Sequence, residues 1–166
     1  MKPRNGSDPV IYTTNLVIRN LARRIKAFNA EMKQIDRTLI VLLEDCAPSL
    51  LALYGLGPDT AASLLVAAGD NADRIASEGA WARLCGVTPI PAGSGKTSGR
   101  FRLNRGGDRN ANAALYRMVL TRMSPDDETR AYVARRRAEG LNTAEIMRCL
   151  KRYVARQTFK HLPAIV

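Results

Sequence analysis

Residues 18–42 read IRNLARRIKAFNAEMKQIDRTLIVL, and Ile18, Leu21, Ile25, Phe28, Met32, Ile35, Leu39 and Leu42 recur along them at alternating steps of three and four. That spacing returns each apolar side chain to one narrow stripe of an α-helix, a heptad seam. Arg23, Arg24, Lys26, Glu31, Lys33 and Asp36 take the other faces. It predicts one long coiled-coil-type helix over residues 14–46, stopped by Pro48. A stripe this narrow needs a partner helix, supplied either by the body of the same chain or by a second copy. Upstream, residues 1–13 read as an irregular lead-in broken by Pro3, Gly6 and Pro9.

Downstream, the pattern predicts a compact helical domain over residues 47–166. Leu50, Leu53 and Leu56 lead through Gly55-Leu56-Gly57 into a helix carrying Ala61, Leu64 and Leu65. Over residues 50–69 this resembles a helix-hairpin-helix, in which Gly55 and Gly57 let backbone N–H groups approach a phosphate at a helix N-terminus. An αα-hairpin with a glycine turn fits the same residues, and Asp59 in the first turn disfavours an anion there. Asn71 to Leu84 reads as a short helix pair, capped at Asp70 or Asn71, with Trp81 and Leu84 packing inward. Residues 111–161 are expected to form basic C-terminal helices. One runs from Asn110 to Ser124-Pro125 and one through Tyr132 and Val133 to Gly140. The last starts at the capping box Asn142-Thr143-Ala144-Glu145, with Ile146, Leu150, Tyr153 and Val154 on its inner side.

Between these helices lies a Gly-rich basic loop, residues 86–110, containing PIPAGSGKTSGRFRLNRGGDRN. Arg102-Leu103 is its one candidate for a short strand. GSGKT imitates a P-loop, but the frame demands glycine at position 90, which is Ile90. No apolar strand leads into the segment and no helix follows at once, which excludes a nucleotide-binding ATPase. Serines between glycines, amid Lys96, Arg100, Arg102, Arg105 and Arg109, fit either a solvated loop clamping DNA or RNA or a nucleophile attacking a phosphodiester. On spacing alone the clamp ranks first, since no histidine is near and His161 lies far along the chain.

Charge supports a polyanionic partner. Of the net +11, residues 1–90 contribute +1 and residues 91–166 contribute +10, with 13 of the 16 basic groups of that second half being Arg. Arginine forks onto phosphate, and neutralising phosphates releases counterions. In the last helix, Arg148, Lys151, Arg152 and Arg156 join the candidates. The three cysteines, Cys46, Cys85 and Cys149, are odd in number and lack metal-ligand spacing. They read as buried or half-buried thiols, with no metal site and no cofactor within the chain. No apolar run approaches the ~18 residues of a membrane span, and the N-terminus has no apolar signal core. The expected place is the cytoplasm, on the nucleoid.

Several stretches now stand in a distinctive order: LYGLGPDTA (53–61), LCGVTPIP (84–91), Ser94-Gly95-Lys96, RLNRGGDRNANAA (102–114), TRAYVARR (129–136), Glu139-Gly140 and EIMRCLKRYVAR (145–156). Over about residues 15–160 the chain resembles the C-terminal region of the IS110 family of insertion-sequence transposases, in its actinobacterial form. The resemblance implies a recombinase in which an N-terminal RuvC-like nuclease domain binds Mg²⁺ through carboxylates. A coiled coil follows, then a helical transposase domain that contributes a serine. It further implies RNA-guided strand exchange, in which a structured RNA of the element pairs with DNA and the serine forms a transient phosphoserine link. Aligned without gaps from Gly86 to Arg109, the family's serine falls on Ser94, with Ser98 the fallback. Arg102, Arg105 and Arg109 become phosphate clamps, and Asn104 a backbone-positioning group. The RuvC-like carboxylates have no counterpart here, so the expectation is a truncated copy, inactive alone, with Mg²⁺ belonging only to that other domain. Expected partners are DNA, the guide RNA, and a second copy or an intact transposase met through the long helix. The alternatives are a non-catalytic nucleic-acid-binding module and a dimerisation subunit.

Overall fold

The computed structural model describes residues 8–69, 75–91, 93, 101–104 and 106–163, and for Arg102 and Leu103 the backbone only. The chain divides into two compact units, Met1–Thr38 and Leu39–Val166. The protein is mainly helical, as its periodicity predicts.

Helix α1 runs Pro9–Cys46, starting five residues before the expected residue 14. Pro9, read in the sequence as a breaker, instead occupies the first turn, where its fixed φ suits a helix and its missing N–H costs nothing. Asp8 makes the start possible, since its Oδ1 accepts from Val10 N at 2.9 Å. Within Met1–Thr38 the seam side chains Ile18, Leu21, Ile25, Phe28, Met32 and Ile35 are all exposed.

In the second unit α2 (Pro48–Leu51) is a single turn, and α3 spans Pro58–Ala68 with Pro58 in its first turn and Gly57 as N-cap. Helix α4 (Glu78–Leu84) begins at Ser77, whose hydroxyl accepts from Ala80 N; residues 70–74, with the expected cap at Asp70 or Asn71, lie outside the described residues, and Ile75 is buried in the core. Strands β1 (Pro89–Pro91) and β2 (Phe101–Leu103) form a two-stranded antiparallel hairpin. Three helices follow: α5 (Arg109–Met123), α6 (Asp127–Ala138) and α7 (Thr143–Lys160). Asp108, Asp126 and Asn142 are their caps, and Asn142 with Glu145 completes the predicted capping box.

Helix α5 packs against α3 and α7, α6 packs on α5 and α7, and α4 lies on α7. Leu50, Ala61, Leu64, Trp81, Leu115, Met118 and Ile146 are fully buried between them. Trp81 Nε1 donates to Thr158 Oγ1 at 3.0 Å, which satisfies the one polar atom of the largest core side chain. Two expectations fail here. Tyr153 is half exposed rather than inward, and Met147, Ala155 and Thr158 fill the inner face of α7 with Ile146, Leu150 and Val154. Cys46, at the end of α1, is exposed, whereas Cys85 is buried and Cys149 half-buried.

Candidate nucleic-acid interface

The hairpin determines where the Gly-rich loop begins and ends. Pro89 faces Leu103, Ile90 faces Arg102 and Pro91 faces Phe101. Two prolines in a three-residue strand leave only Ile90 with an N–H to donate, which suits a hairpin whose outer edge is free. Ser94, Lys96, Ser98, Arg100 and Arg105 lie outside the described residues, as does the side chain of Arg102.

The base of the hairpin is stitched to the helices by close backbone approach. Gly107 has φ +119°, and a Cβ on it would stand 2.7 Å from both Gly86 N and Leu84 O. Gly86, at φ +66°, leaves 3.0 Å to Gly106 O. Asp108 N donates to Leu84 O at 2.7 Å, so the start of α5 is tied to the end of α4. Side chains complete the clamp. Asn104 Nδ2 donates to Arg83 O (3.3 Å) while its Oδ1 accepts from Gly106 N (2.9 Å). Asn112 Nδ2 donates to Cys85 O at 2.8 Å, and its Oδ1 accepts from Lys151 Nζ, also at 2.8 Å. Asn104 thus ties the end of β2 to the end of α4, and Asn112 is a member that the sequence pattern does not reveal.

Helix α7 supplies the cations. Arg148, Arg152 and Arg156 recur at every fourth residue and Lys151 follows Arg148 by three, so the four fall on one broad side of the helix. Arg148, Lys151 and Arg152 line a cavity of about 350 Å³ together with Gly86, Val87 and Phe101 at the hairpin. Thr88 Oγ1, buried without a hydrogen-bond partner, borders it too. Burial and then the neighbouring charge of Arg148 pull the Lys151 ammonium below its ordinary value. Arg148 Nε is turned back to Ala144 O (3.1 Å), which leaves the rest of its guanidinium to other partners. Arg156 pairs with Glu78 at 3.7 Å, and Arg109 is exposed at the first position of α5.

Gly55 and Gly57 belong to a separate hollow, lined also by Thr60, Arg117 and Thr121, which shares no residue with the cleft on α7. Gly55 has φ +78°, and a Cβ there would lie 3.1 Å from Arg122 Cγ and 3.3 Å from Met118 O. Close packing on α5 is therefore a sufficient reason for glycine at 55. Gly57 is different, because nothing lies within 4 Å of the Cβ it lacks. Asp59, beside it, pairs with Arg117 at 3.2 Å, so the anion that stood against a phosphate there is already matched by a cation. Arg122 Nε donates to Tyr54 O at 2.8 Å, which fixes the turn before α3.

The family model described as "Transposase IS116/IS110/IS902 family" matches residues 47–134, just over half of the chain. The chain belongs to this transposase family. The matched span runs from α2 through the hairpin to α6, so it contains the glycine clamp, Asn104 and Asn112, while α7 lies beyond it. Among curated relatives, the 42 kDa protein of insertion element IS900 from Mycobacterium paratuberculosis is 28% identical over 142 residues, 82% of this chain and 35% of its own length. The 43.6 kDa protein of IS110 from Streptomyces coelicolor is 27% identical over 146 residues, covering 86% of this chain and 36% of itself. The 44.8 kDa protein of IS116 from Streptomyces clavuligerus is 27% identical over 137 residues, or 80% and 32%. This transposase-family chain thus spans about a third of the length of the curated relatives it matches. Among its described residues no helix is long and apolar enough to cross a membrane.

Proposed function

We propose that this chain is the segment of an insertion-sequence transposase that grips DNA and offers Ser94 to a phosphodiester. One arrangement supports the reading above all. The two strands that bracket residues 92–100 are anchored at the rim of a cleft lined by Arg148, Lys151 and Arg152. Residues between those strands include Ser94, Lys96, Ser98 and Arg100. A strand seated on the α7 cations would have its backbone beside Pro89 and Phe101, the strands between which Ser94 lies in sequence, and nucleophilic attack requires such proximity.

In this reaction the Ser94 Oγ–P bond forms and the P–O bond to the departing nucleotide breaks. The serine proton leaves to a base and the displaced oxygen takes one up. The phosphoserine link conserves the ester, so attack by a new strand hydroxyl rejoins DNA and frees the serine. Cations beside the loop stabilise the charge that builds on the phosphorus oxygens. Ser98 is the fallback nucleophile, and Lys96, Arg100, Arg102, Arg105 and Arg109 the phosphate clamps, with Gly57 at the start of α3 a further contact. Among the described residues no group of three His, Cys, Asp or Glu side chains is placed to hold a metal ion. The Mg²⁺ implied by the family resemblance finds no matching donors among those residues.

A structured RNA of the element as guide, and a second copy or a full-length transposase met along α1, complete the proposal, with the bacterial nucleoid as the place of action. The test is a trapping substrate in which the leaving oxygen is replaced by sulfur, so that the displaced strand cannot re-attack. With a full-length transposase and Mg²⁺ present, a covalent adduct between this chain and DNA that survives denaturation, persists in Ser98→Ala and vanishes in Ser94→Ala is expected. DNA binding with no adduct in any form would leave a non-catalytic nucleic-acid-binding module.

A further inference from the structure

Beside the cleft, α6 and α7 enclose a second cavity of about 300 Å³ in which two tyrosines meet four arginines. The Tyr132 and Tyr153 rings stand edge to face, 5.6 Å apart at 78°. Arg135 lies 5.3 Å and Arg136 6.0 Å from the Tyr132 ring centre, and Arg156 lies 6.0 Å from that of Tyr153. Arg152 completes the charged wall. We propose that this cavity takes one unpaired nucleotide, its base stacked on Tyr153 and its phosphate held by Arg152 and its neighbours.

Four observations carry the assignment. Tyr153 keeps 51% of its surface exposed on a helix whose Ile146, Met147, Leu150 and Val154 are buried, so part of its ring stays open to a planar partner beside Tyr132 and Arg156. Cations exceed anions, because Glu139 faces Arg135 and Arg136, Glu78 faces Arg156, and Arg152 has no carboxylate partner among the described residues. Arg136 Nε is buried without a hydrogen-bond partner, and the Cys149 thiol lines the same cavity from α7. Finally, Cys149 and Arg152 line both this cavity and the cleft at the hairpin, so a strand lying in one is led into the other. The volume sits at the lower end of the ~300–1,000 Å³ range of small-molecule sites, enough for a base but not for a base pair with its two backbones. Base faces inside a duplex are already stacked, so only an unpaired residue can use Tyr153.

The inference rests on nucleic acid being the partner of this chain, and its test separates the two. Binding of the full chain to labelled oligo-thymidine, oligo-uridine and a DNA duplex is measured by anisotropy for wild type, Tyr153→Ala, Tyr153→Phe and Arg152→Ala. Tyr153→Ala gives up the edge-to-face pair with Tyr132 and should lower the unfolding temperature slightly, so binding is compared well below it, where every variant is folded. Stacking on an aromatic ring contributes ~1–3 kcal/mol per base, so Tyr153→Ala is expected to weaken single-strand binding roughly 5- to 150-fold, with Tyr153→Phe close to wild type. Duplex binding should change by no more than about twofold, since stacked pairs cannot use the ring. A larger loss on thymidine assigns the cavity to an opened DNA strand, and a larger loss on uridine assigns it to RNA. Unchanged single-strand affinity in Tyr153→Ala, or an equal loss for duplex and single strands, overturns the proposal. Either result leaves the adduct test of Ser94 standing, whereas no binding to any nucleic acid would sink both.

Discussion

Lys151 Nζ on α7 donates a 2.8 Å hydrogen bond to Asn112 Oδ1 on α5, while the amide nitrogen of the same Asn112 reaches Cys85 O at 2.8 Å and Gly86 O at 3.4 Å. One side chain therefore joins three helices at the point where the hairpin departs. Its removal should be felt both in stability and at the cleft.

Asn112→Ala leaves the Lys151 ammonium and two carbonyls short of a partner. A buried group deprived of its hydrogen bond costs about 1–3 kcal/mol, so unfolding in urea should show a midpoint lowered accordingly. Asn112→Asp keeps the contact to Lys151 and strengthens it by charge, but loses both bonds to carbonyls and sets a carboxylate against them. Its midpoint should fall as well, which assigns the effect to the amide donor rather than to Lys151 alone.

Such a residue could not be found by periodicity. Helices α5, α6 and α7 were legible because their apolar residues recur at helical steps and Asn142, Glu145 and Pro125 mark their ends. The partners of Asn112 lie 27 and 39 residues away along the chain, and no local pattern encodes them. Tyr153 was misjudged for a related reason. Its position borders the apolar stripe of α7, but its ring meets Tyr132 on α6, and only packing shows that. Pro9 misled because proline breaks a helix interior yet fits a first turn. At the interface, Arg148, Lys151 and Arg152 were legible as charge on one helix; their meeting with Gly86 and Phe101 was not, because it depends on how the hairpin folds back. Ser94 rests on the order of motifs, since residues 94–100 lie outside the described structure.

The two glycine positions make a contrast. Gly107→Ala places a Cβ 2.7 Å from two backbone atoms, at a φ of +119° that alanine rarely adopts. With the backbone unable to give way cheaply, the loss should be at least the ~1–3 kcal/mol of a strained residue, read as a clear drop in unfolding temperature. Gly57→Ala enters open space at φ −80° as a helix N-cap, where the change should stay within about 1 kcal/mol. Equal losses for the two would contradict the close approach of Gly107 to Gly86.

Cysteine chemistry should follow burial. The Cys85 thiol is pushed up to about 12, first by burial and then by the charge of Asp108. Its protonated form is the one the fold prefers. The stability linked to it is therefore complete below the ordinary value of 9.0 and is lost as pH rises from there towards about 12. At pH ~8 a thiol reagent should modify Cys46 fast, Cys149 more slowly and Cys85 only in denaturant, because the thiolate is the reacting form. Rapid native labelling of Cys85, mapped by mass spectrometry, would mean the α4–hairpin junction opens far more readily than its packing implies.

The exposed seam of α1 invites a solution measurement. Leu21 and Met32 sit 50% and 60% exposed among apolar neighbours on one stripe, a surface that water disfavours and a second helix would cover. Sedimentation equilibrium of the wild-type chain should give a mass above that of one chain. Leu21→Glu with Met32→Glu, placing like charges in the seam, should return it to 18.2 kDa. A single-chain mass for both proteins would show that the seam recruits no second copy.

The cations of α7 can be separated from other arginines by salt. If Arg148 and Arg152 neutralise phosphates, each releases counterions, and removal of each should flatten the slope of log K against log salt by about 0.9 on B-DNA. Arg117 offers the comparison. It is exposed and equally charged, but it already faces Asp59 at 3.2 Å and lies outside the cleft. Arg117→Ala should therefore shift the slope much less than Arg148→Ala, although the net charge of the protein changes identically. If all three variants flatten the slope alike, the attraction comes from overall charge and the cleft has no special place in it. If Arg148→Ala and Arg152→Ala do so alone, the strand lies along α7, in the cleft that Pro89 and Phe101 also line.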